Sequence, residues 1–318
     1  MTDTRHFVRS GLDTLLKAPE SAADILVRDA VWDMMAPVEQ VAGRDAIVSE
    51  VIAPLRAAFV GLHRRDEIVI GGKNRREVGG RWVACVTHYV GTHRGPLWGV
   101  APSGRLAFLR AGEFHRTAAD GRITESRIIL DLPDLMRQAG RMPFAEGLGT
   151  EMLFPGPATH DGVCPDPRGG EASLDLIERM LAGLHSYDPG TVSSPGQTGE
   201  GGAWADDMLW YGPGGIGSNY RWEGFVSDHR AAFLTAFPDR KGGNHYCRIG
   251  DGNYAAISGW PSMTMTHQGP YLGVPATGKA LTLRVMDFYR CANGRIAENW
   301  VLLDYVDLFR QMGRNILS

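Results

Sequence analysis

The second half of this chain repeats the first, and that repetition limits what it can fold into more than any other feature. Thr92-His93-Arg94-Gly95-Pro96 returns as Thr266-His267-Gln268-Gly269-Pro270, and Glu113-Phe114-His115-Arg116 as Asp287-Phe288-Tyr289-Arg290. Gly121-Arg122-Ile123-Thr124-Glu125 returns as Gly294-Arg295-Ile296-Ala297-Glu298, and Arg137-Gln138-Ala139-Gly140-Arg141 as Arg310-Gln311-Met312-Gly313-Arg314. His93 to His267 is a step of 174 residues and Gly121 to Gly294 one of 173, so the register slips once, in a hairpin turn. Self-similarity over such spans marks a tandem duplication. The 318 residues can bury two cores, so one fold is expected twice.

Each copy reads as helices followed by hairpins, an α+β order. Asp29-Ala30-Val31-Trp32 matches Asp207-Met208-Leu209-Trp210, and Arg56-Ala57-Ala58-Phe59 matches Arg230-Ala231-Ala232-Phe233 within stretches of helical apolar spacing. A short helix should close each copy, with Asp131 and Asp304 as candidate N-caps. Breakers around Pro155-Gly156-Pro157 and from Cys164 to Gly170 read as a linker, which divides the chain into residues 1–147, 148–169 and 170–318. Asp188 to Ala203, dense in Gly, Ser and Pro, is a loop long enough to be mobile or to act as a lid.

Leu281 to Arg290 and Arg295 to Leu303 read as strands closed by a turn at Ala292-Asn293-Gly294. By the period of two, Asp287 shares a face with Leu281, Leu283 and Val285, while Arg284 and Arg290 leave the other face. A carboxylate on an apolar face costs free energy unless something there uses it. It is then either a general base with a pKa raised by burial or one half of a structural ion pair.

The run T-H-x-G-x-x-x-G-x-P-A-T-G-K from Thr266, then D-x-x-R from Asp287 and G-R-I-x-E-x-W from Gly294, with Asp304 beyond, resembles the SnoaL-like polyketide cyclases. These form part of the superfamily of nuclear transport factor 2 and ketosteroid isomerase. The resemblance implies two cone-shaped α+β domains, each a curved antiparallel sheet wrapped around N-terminal helices, with a pocket in the cone. It implies cofactor-free acid/base chemistry, with an acid at the strand position of Asp287 serving it. It also implies that outer sheet faces pair, so the two copies should form an internal pseudo-dimer, with further homo-oligomerisation left open. Thr282, Arg284, Met286, Phe288 and Arg290 share that outer face, where Met286 and Phe288 need cover.

Other residues join Asp287 as candidates. His267 and its counterpart His93 either orient a substrate carbonyl or fix the turn that follows. Trp210 and Tyr211 stand where the family lines its pocket mouth, Tyr211 facing Asp33 in the first copy. Trp300 resembles the family tryptophan and replaces Arg127, while Tyr271 and His245 replace Leu97 and Gly71. His229, on an apolar helical face opposite Leu55, reads as a core histidine. The second copy keeps the family residues better, so its pocket is expected to be the aromatic and active one. Whether Glu113 and His93 also work is open.

A net charge of −3 gives no basic footprint, so nucleic acid is not expected as a partner. No apolar run spans a membrane, and Met1 to Arg9 lacks the apolar stretch of a signal peptide, which points to a cytoplasmic protein. Cys85, Cys164, Cys247 and Cys291 stand singly, histidines lack metal-ligand spacing, and no nucleotide or nucleophile motif occurs, so no metal or other cofactor is implied. The expected activity is that of a cyclase, isomerase or lyase on a small hydrophobic carbonyl or polyketide-like compound. Asp287 would move the proton, and His267 or Tyr211 would stabilise the oxyanion. The alternatives are a non-catalytic small-molecule binder and, third, an epoxide hydrolase built on an Asp–Arg–Asp set.

Overall fold

The computed structural model describes residues 3–144, 147–151, 154–184, 186–188 and 191–317. The first copy runs α1 (Thr4–Lys17), α2 (Ala22–Ile25), β1 (Leu26–Met34), β2 (Gln40–Ala42), α3 (Arg44–Ile47), α4 (Ala53–Ala58), β3 (Phe59–Lys73), β4 (Arg81–His93), β5 (Leu106–Thr117), β6 (Ile123–Leu130) and α5 (Leu132–Gln138). The second runs α6 (Gly170–Leu184), β7 (Trp204–Tyr211), β8 (Ser218–Tyr220), α7 (Arg221–Phe225), α8 (Ala231–Ala236), β9 (Cys247–Asp251), β10 (Tyr254–Thr266), β11 (Ala280–Ala292), β12 (Arg295–Leu303) and α9 (Tyr305–Met312). A π-helical turn joins α3 to α4 and, equivalently, α7 to α8.

Each copy forms one six-stranded sheet of the same topology, β2-β1-β6-β5-β4-β3 and β8-β7-β12-β11-β10-β9. The expectation was an antiparallel sheet; the sheets are mixed, because β1 runs parallel to β6 and β7 to β12 while the other pairs are antiparallel. The helix and the hairpin strands between those partners form a long crossover, which returns the last strand beside the first in the same direction. Asp131 and Asp304 cap α5 and α9, accepting from the amides of Asp134 and Asp307 at 3.0 Å each.

The helical register differs from the reading of Arg56 against Arg230. Asp29 matches Asp207, the π turns begin at Val48 and Val226, and Ala58 accepts from the amides of Arg94 and Gly95 as Ala236 does from those of Gln268 and Gly269. All of these are steps of 178, one helical turn beyond 174. The step is still 178 at Lys241, whose bridge to Thr264 repeats that of His63 to Val90, and four residues are lost beyond it, where residues 74–80 between β3 and β4 shrink to 252–253 between β9 and β10. His229 therefore corresponds to Val51, not to Leu55, and Arg230 to Ile52.

The outer faces of the two sheets pack together with paired, self-complementary contacts, the pattern of a two-fold interface. Phe114 meets its own counterpart Phe288 at 5.4 Å between ring centroids. Arg110 donates to the carbonyl of Gly212 and Arg284 to that of Met34, while the amides of Gly214 and Ala36 donate to Asp131 and Asp304. Met286 and Phe288 are fully buried there, and Gly112 lies so close to Leu302 and Met286 that an added Cβ would stand 2.8 and 3.2 Å from them. The linker packs against the second sheet, with the carbonyl of Pro155 accepting from Trp300 Nε1 at 2.8 Å and Phe154 against Tyr211. Among the described residues no helix is long and apolar enough to cross a membrane.

Candidate functional site

Between the sheet of the second copy and its helices lies a cavity of about 120 Å³. Alternation on β11 delivers Leu283, Val285, Asp287 and Tyr289 to it, and alternation on β12 delivers Asn299, Val301 and Leu303. Tyr289 pairs with Asn299 across the strands and Asp287 with Val301, so the Asn299 side chain lies diagonally beside Asp287. Trp204, Trp210, Phe225 and Phe233 supply an aromatic wall, and Met180, Leu181 and Leu184 of α6 close one side.

Burial pushes the Asp287 carboxyl up to about 7, against hydrogen bonds from Asn299 and Tyr289 that hold it lower. Asp287 is surrounded by protein and yet keeps some accessible surface. As a residue lining the cavity, it turns that surface inward. No arginine offsets the burial: Arg284 points to the outer face and bonds Asp304 at 3.1 Å and Glu39 at 2.8 Å, and Arg290 bonds Glu298. The Asp–Arg–Asp set of an epoxide hydrolase therefore does not assemble around Asp287.

The cavity also holds a residue that sequence reasoning assigned to the core. His229 lines it, with its ring stacked 4.7 Å from that of Trp210. Burial first, and Arg230 and Arg240 second, push its pKa down to about 3, so the imidazole is neutral. Among the described residues its Nδ1 has no hydrogen-bond partner. Tyr289, Asn299, Arg240 and Ser262 are further lining residues that sequence reasoning missed. For Tyr289 the signal was present, since it lies two residues from Asp287 on the inner face; Asn299 was missed because placing Trp300 in the pocket put Asn299 on the opposite face of its strand. No local pattern marks Arg240.

Of the other candidates, Trp210 and His245 line the cavity, and His245 Nδ1 accepts from Arg248 Nε at 3.0 Å. The remaining four lie elsewhere. Trp300 has the strand parity of Glu298 and Leu302, which faces it outward; it is buried against Tyr211 and the linker. Tyr211 donates to Glu298 at 3.1 Å in that same cluster. Tyr271 shares a 2.6 Å hydrogen bond with the Tyr305 hydroxyl and packs on Phe233 and Phe237. His267 Nδ1 contacts the Thr277 hydroxyl at 3.1 Å, which fixes the turn, and burial lowers its pKa. The pocket proposed from Trp210, Tyr211, Tyr271, Asp287 and Trp300 thus holds only the first and fourth. No described residue of the Asp188–Ala203 loop lines the cavity, and Asp188 is the last described residue before 191.

In the first copy the equivalent carboxylate has a different fate. Arg64 of β3 grips Glu113 with two hydrogen bonds of 2.9 Å, the Tyr89 hydroxyl donates to it at 2.6 Å, and His115 Nε2 lies at 3.1 Å. Burial alone would raise this carboxyl, but the Arg64 charge and the His115 hydrogen bond outweigh it and hold the pKa well below the ordinary carboxylate range. Glu113 is ionised and fully engaged. His93, like His267, sits at the strand end, where the Ser103 amide approaches its Nδ1 at 3.4 Å.

The profile of the SnoaL-like polyketide cyclase family matches residues 17–139 and again 201–312. Among solved structures, AclR of Streptomyces galilaeus, a proposed hydroxylase, is 20% identical and covers 45% of this chain and 82% of its own, with a TM-score of 0.35. IdmH of Streptomyces antibioticus, a proposed polyketide cyclase, is 22% identical over 43% of this chain and 98% of its own, with a TM-score of 0.33. A nuclear transport factor 2-like protein of Burkholderia thailandensis is 21% identical over 44% and 99%, with a TM-score of 0.34. No curated protein matches the sequence.

Proposed function

The chain belongs to the SnoaL-like polyketide cyclase family, and from that premise we propose that its second copy, residues 170–318, is a cofactor-free acid/base enzyme acting on a small carbonyl compound. The observation that carries this reading is a carboxyl group without an arginine partner, held in an aromatic cavity with its pKa at about 7. Such a group exchanges protons near neutral pH, and a positioned base of matched pKa accelerates proton abstraction by roughly 10²–10⁴-fold. Asp287 takes the proton from the carbon next to the carbonyl, while Asn299 and Tyr289 hold its carboxylate by hydrogen bonds. Neutral His229, with Nδ1 unpartnered, is the group suited to donate to the developing enolate oxygen. This replaces the earlier expectation for His267 and Tyr211, which lie outside the cavity lining.

Exchange of α-protons for deuterium tests the reading without knowledge of the product. A panel of small ketones and oxo acids in D₂O, followed by proton NMR, should show exchange catalysed by the wild-type chain. Asp287→Asn should lower it at least about a hundredfold while leaving the fold intact. Exchange at the wild-type rate in Asp287→Asn rules the mechanism out.

A further inference from the structure

The same cavity says what kind of molecule it suits, given that it is the working site. Its volume, about 120 Å³, is close to the roughly 150 Å³ of a cavity that holds one benzene ring and below the roughly 300–1,000 Å³ of sites for drug-sized ligands. One ring or a short chain fits; a fused tricycle does not.

Its charge inventory is equally specific. Asp287 stands at its midpoint near neutrality and His229 is neutral. Arg240 lines the cavity but remains partly exposed, which puts it at the mouth. Among the described residues no carboxylate pairs with it: its guanidinium lies 5.1 Å from the Tyr187 ring centroid and has only neighbouring Arg230 for charged company. Arg230 also lacks an acid, being bound to the Val192 carbonyl and the Ser194 hydroxyl. The acids of the same segments are engaged elsewhere, Asp228 with Asn219 and Ser227, and Asp239 with the amide of Thr266. A buried guanidinium beside a half-buried one, without an anion, is costly, and a ligand carboxylate removes that cost. His229, which lines the cavity, has a second unmet need, an Nδ1 without a hydrogen-bond partner among the described residues. Arg230 replaces Ile52 of the first copy, so this cationic mouth belongs to the second copy.

We propose that the substrate is a compact oxo acid, monocyclic or short-chained, whose carbonyl end enters the cavity beside His229 and Asp287 and whose carboxylate pairs with Arg240 at the mouth. The proposal rests on the acid/base reading only for the identity of the site, and binding tests it independently of turnover. Benzoylformate is a suitable probe because it has the required groups and no α-proton to exchange. By titration calorimetry it should bind at least about tenfold more tightly than its neutral amide, and anthracene-9-carboxylate should not compete. Arg240→Gln should abolish the preference for acid over amide, and Arg240→Lys should keep most of it. Equal affinity for acid and amide, an unchanged preference in Arg240→Gln, tighter binding of the tricycle, or no binding of benzoylformate at millimolar concentration overturns the proposal. Failure of the wild-type chain to catalyse proton exchange, with the binding preference intact, would sink the acid/base reading alone.

Discussion

Glu113 and Asp287 occupy the same position in two copies of one fold, yet one is held as an anion and the other stands near its midpoint. Both are buried on the inner face of the penultimate strand. The difference is made by Arg64 on β3, whose counterpart is Gly242, since the bridge of Lys241 to Thr264 repeats that of His63 to Val90. In the first copy this position brings a guanidinium to the carboxylate and the pair becomes structure. In the second it is a glycine lining the cavity, no guanidinium is delivered, and desolvation is left to raise the pKa. The same position thus holds an ion-paired carboxylate in one copy and a carboxyl without an arginine in the other. The first copy also covers the outer face of the other sheet.

The largest effect expected from this contrast is on turnover. Asp287→Asn should cost at least about a hundredfold, whereas Glu113→Gln should change the rate per folded molecule less than about twofold. Comparable losses in both variants would give the first copy a part in turnover.

Stability should show the reverse order. Glu113→Gln leaves the fully buried Arg64 with Asp66, at 3.1 Å, as its remaining acid and should destabilise the protein by up to roughly 3–5 kcal/mol in urea unfolding. Pairing it with Arg64→Met should recover much of the loss. No recovery in the double variant would place the cost in packing rather than charge.

The pH dependence has a definite sign. Asp287 titrates at 3.8 ordinarily and at about 7 here, so between those values the folded chain holds a proton that the unfolded chain has lost. Its contribution to stability is therefore full below pH 3.8, falls as pH rises through that window, and is gone above about 7. Asp287→Asn should gain on the wild type by about 2 kcal/mol between pH 4 and pH 8, discounting for the accessible surface Asp287 keeps in the cavity. Asp304, also raised to about 7, adds the same trend in both proteins and cancels in the comparison. Activity should rise with pH through about 7, since the base must be ionised.

The smallest effect should come from the histidines shared by both copies. His267→Ala and His93→Ala should each destabilise by about 1 kcal/mol through loss of the turn contact and lower turnover less than about tenfold. A hundredfold loss in His267→Ala alone would return that residue to the chemistry.

Much of this was legible in the sequence. The repeat gave the two-fold architecture, alternation aimed Asp287 inward and Arg284 outward, and the apolar pair Met286 and Phe288 announced a covered face. The same alternation applied to Arg295–Leu303 groups Trp300 with Glu298, opposite to Asn299; the family resemblance, not the period, had put it in the pocket. The helical match failed by one turn because Arg-Ala-Ala-Phe recurs at a spacing of 174 while the structure keeps 178, and four-residue words on a helix cannot tell neighbouring turns apart.

Local patterns therefore determined which face each strand residue takes, because the two-residue period of a strand is a covalent property of the backbone. Tertiary structure decided what meets each side chain once it is there. That Arg64 reaches Glu113 across 49 residues, that Gly242 and no arginine stands there beside Asp287, and that His229 and Arg240 share its cavity depend on which residues a distant strand and helix bring to that place. The protonation state of a buried acid is set by those distant partners, and no stretch of sequence around Asp287 contains them.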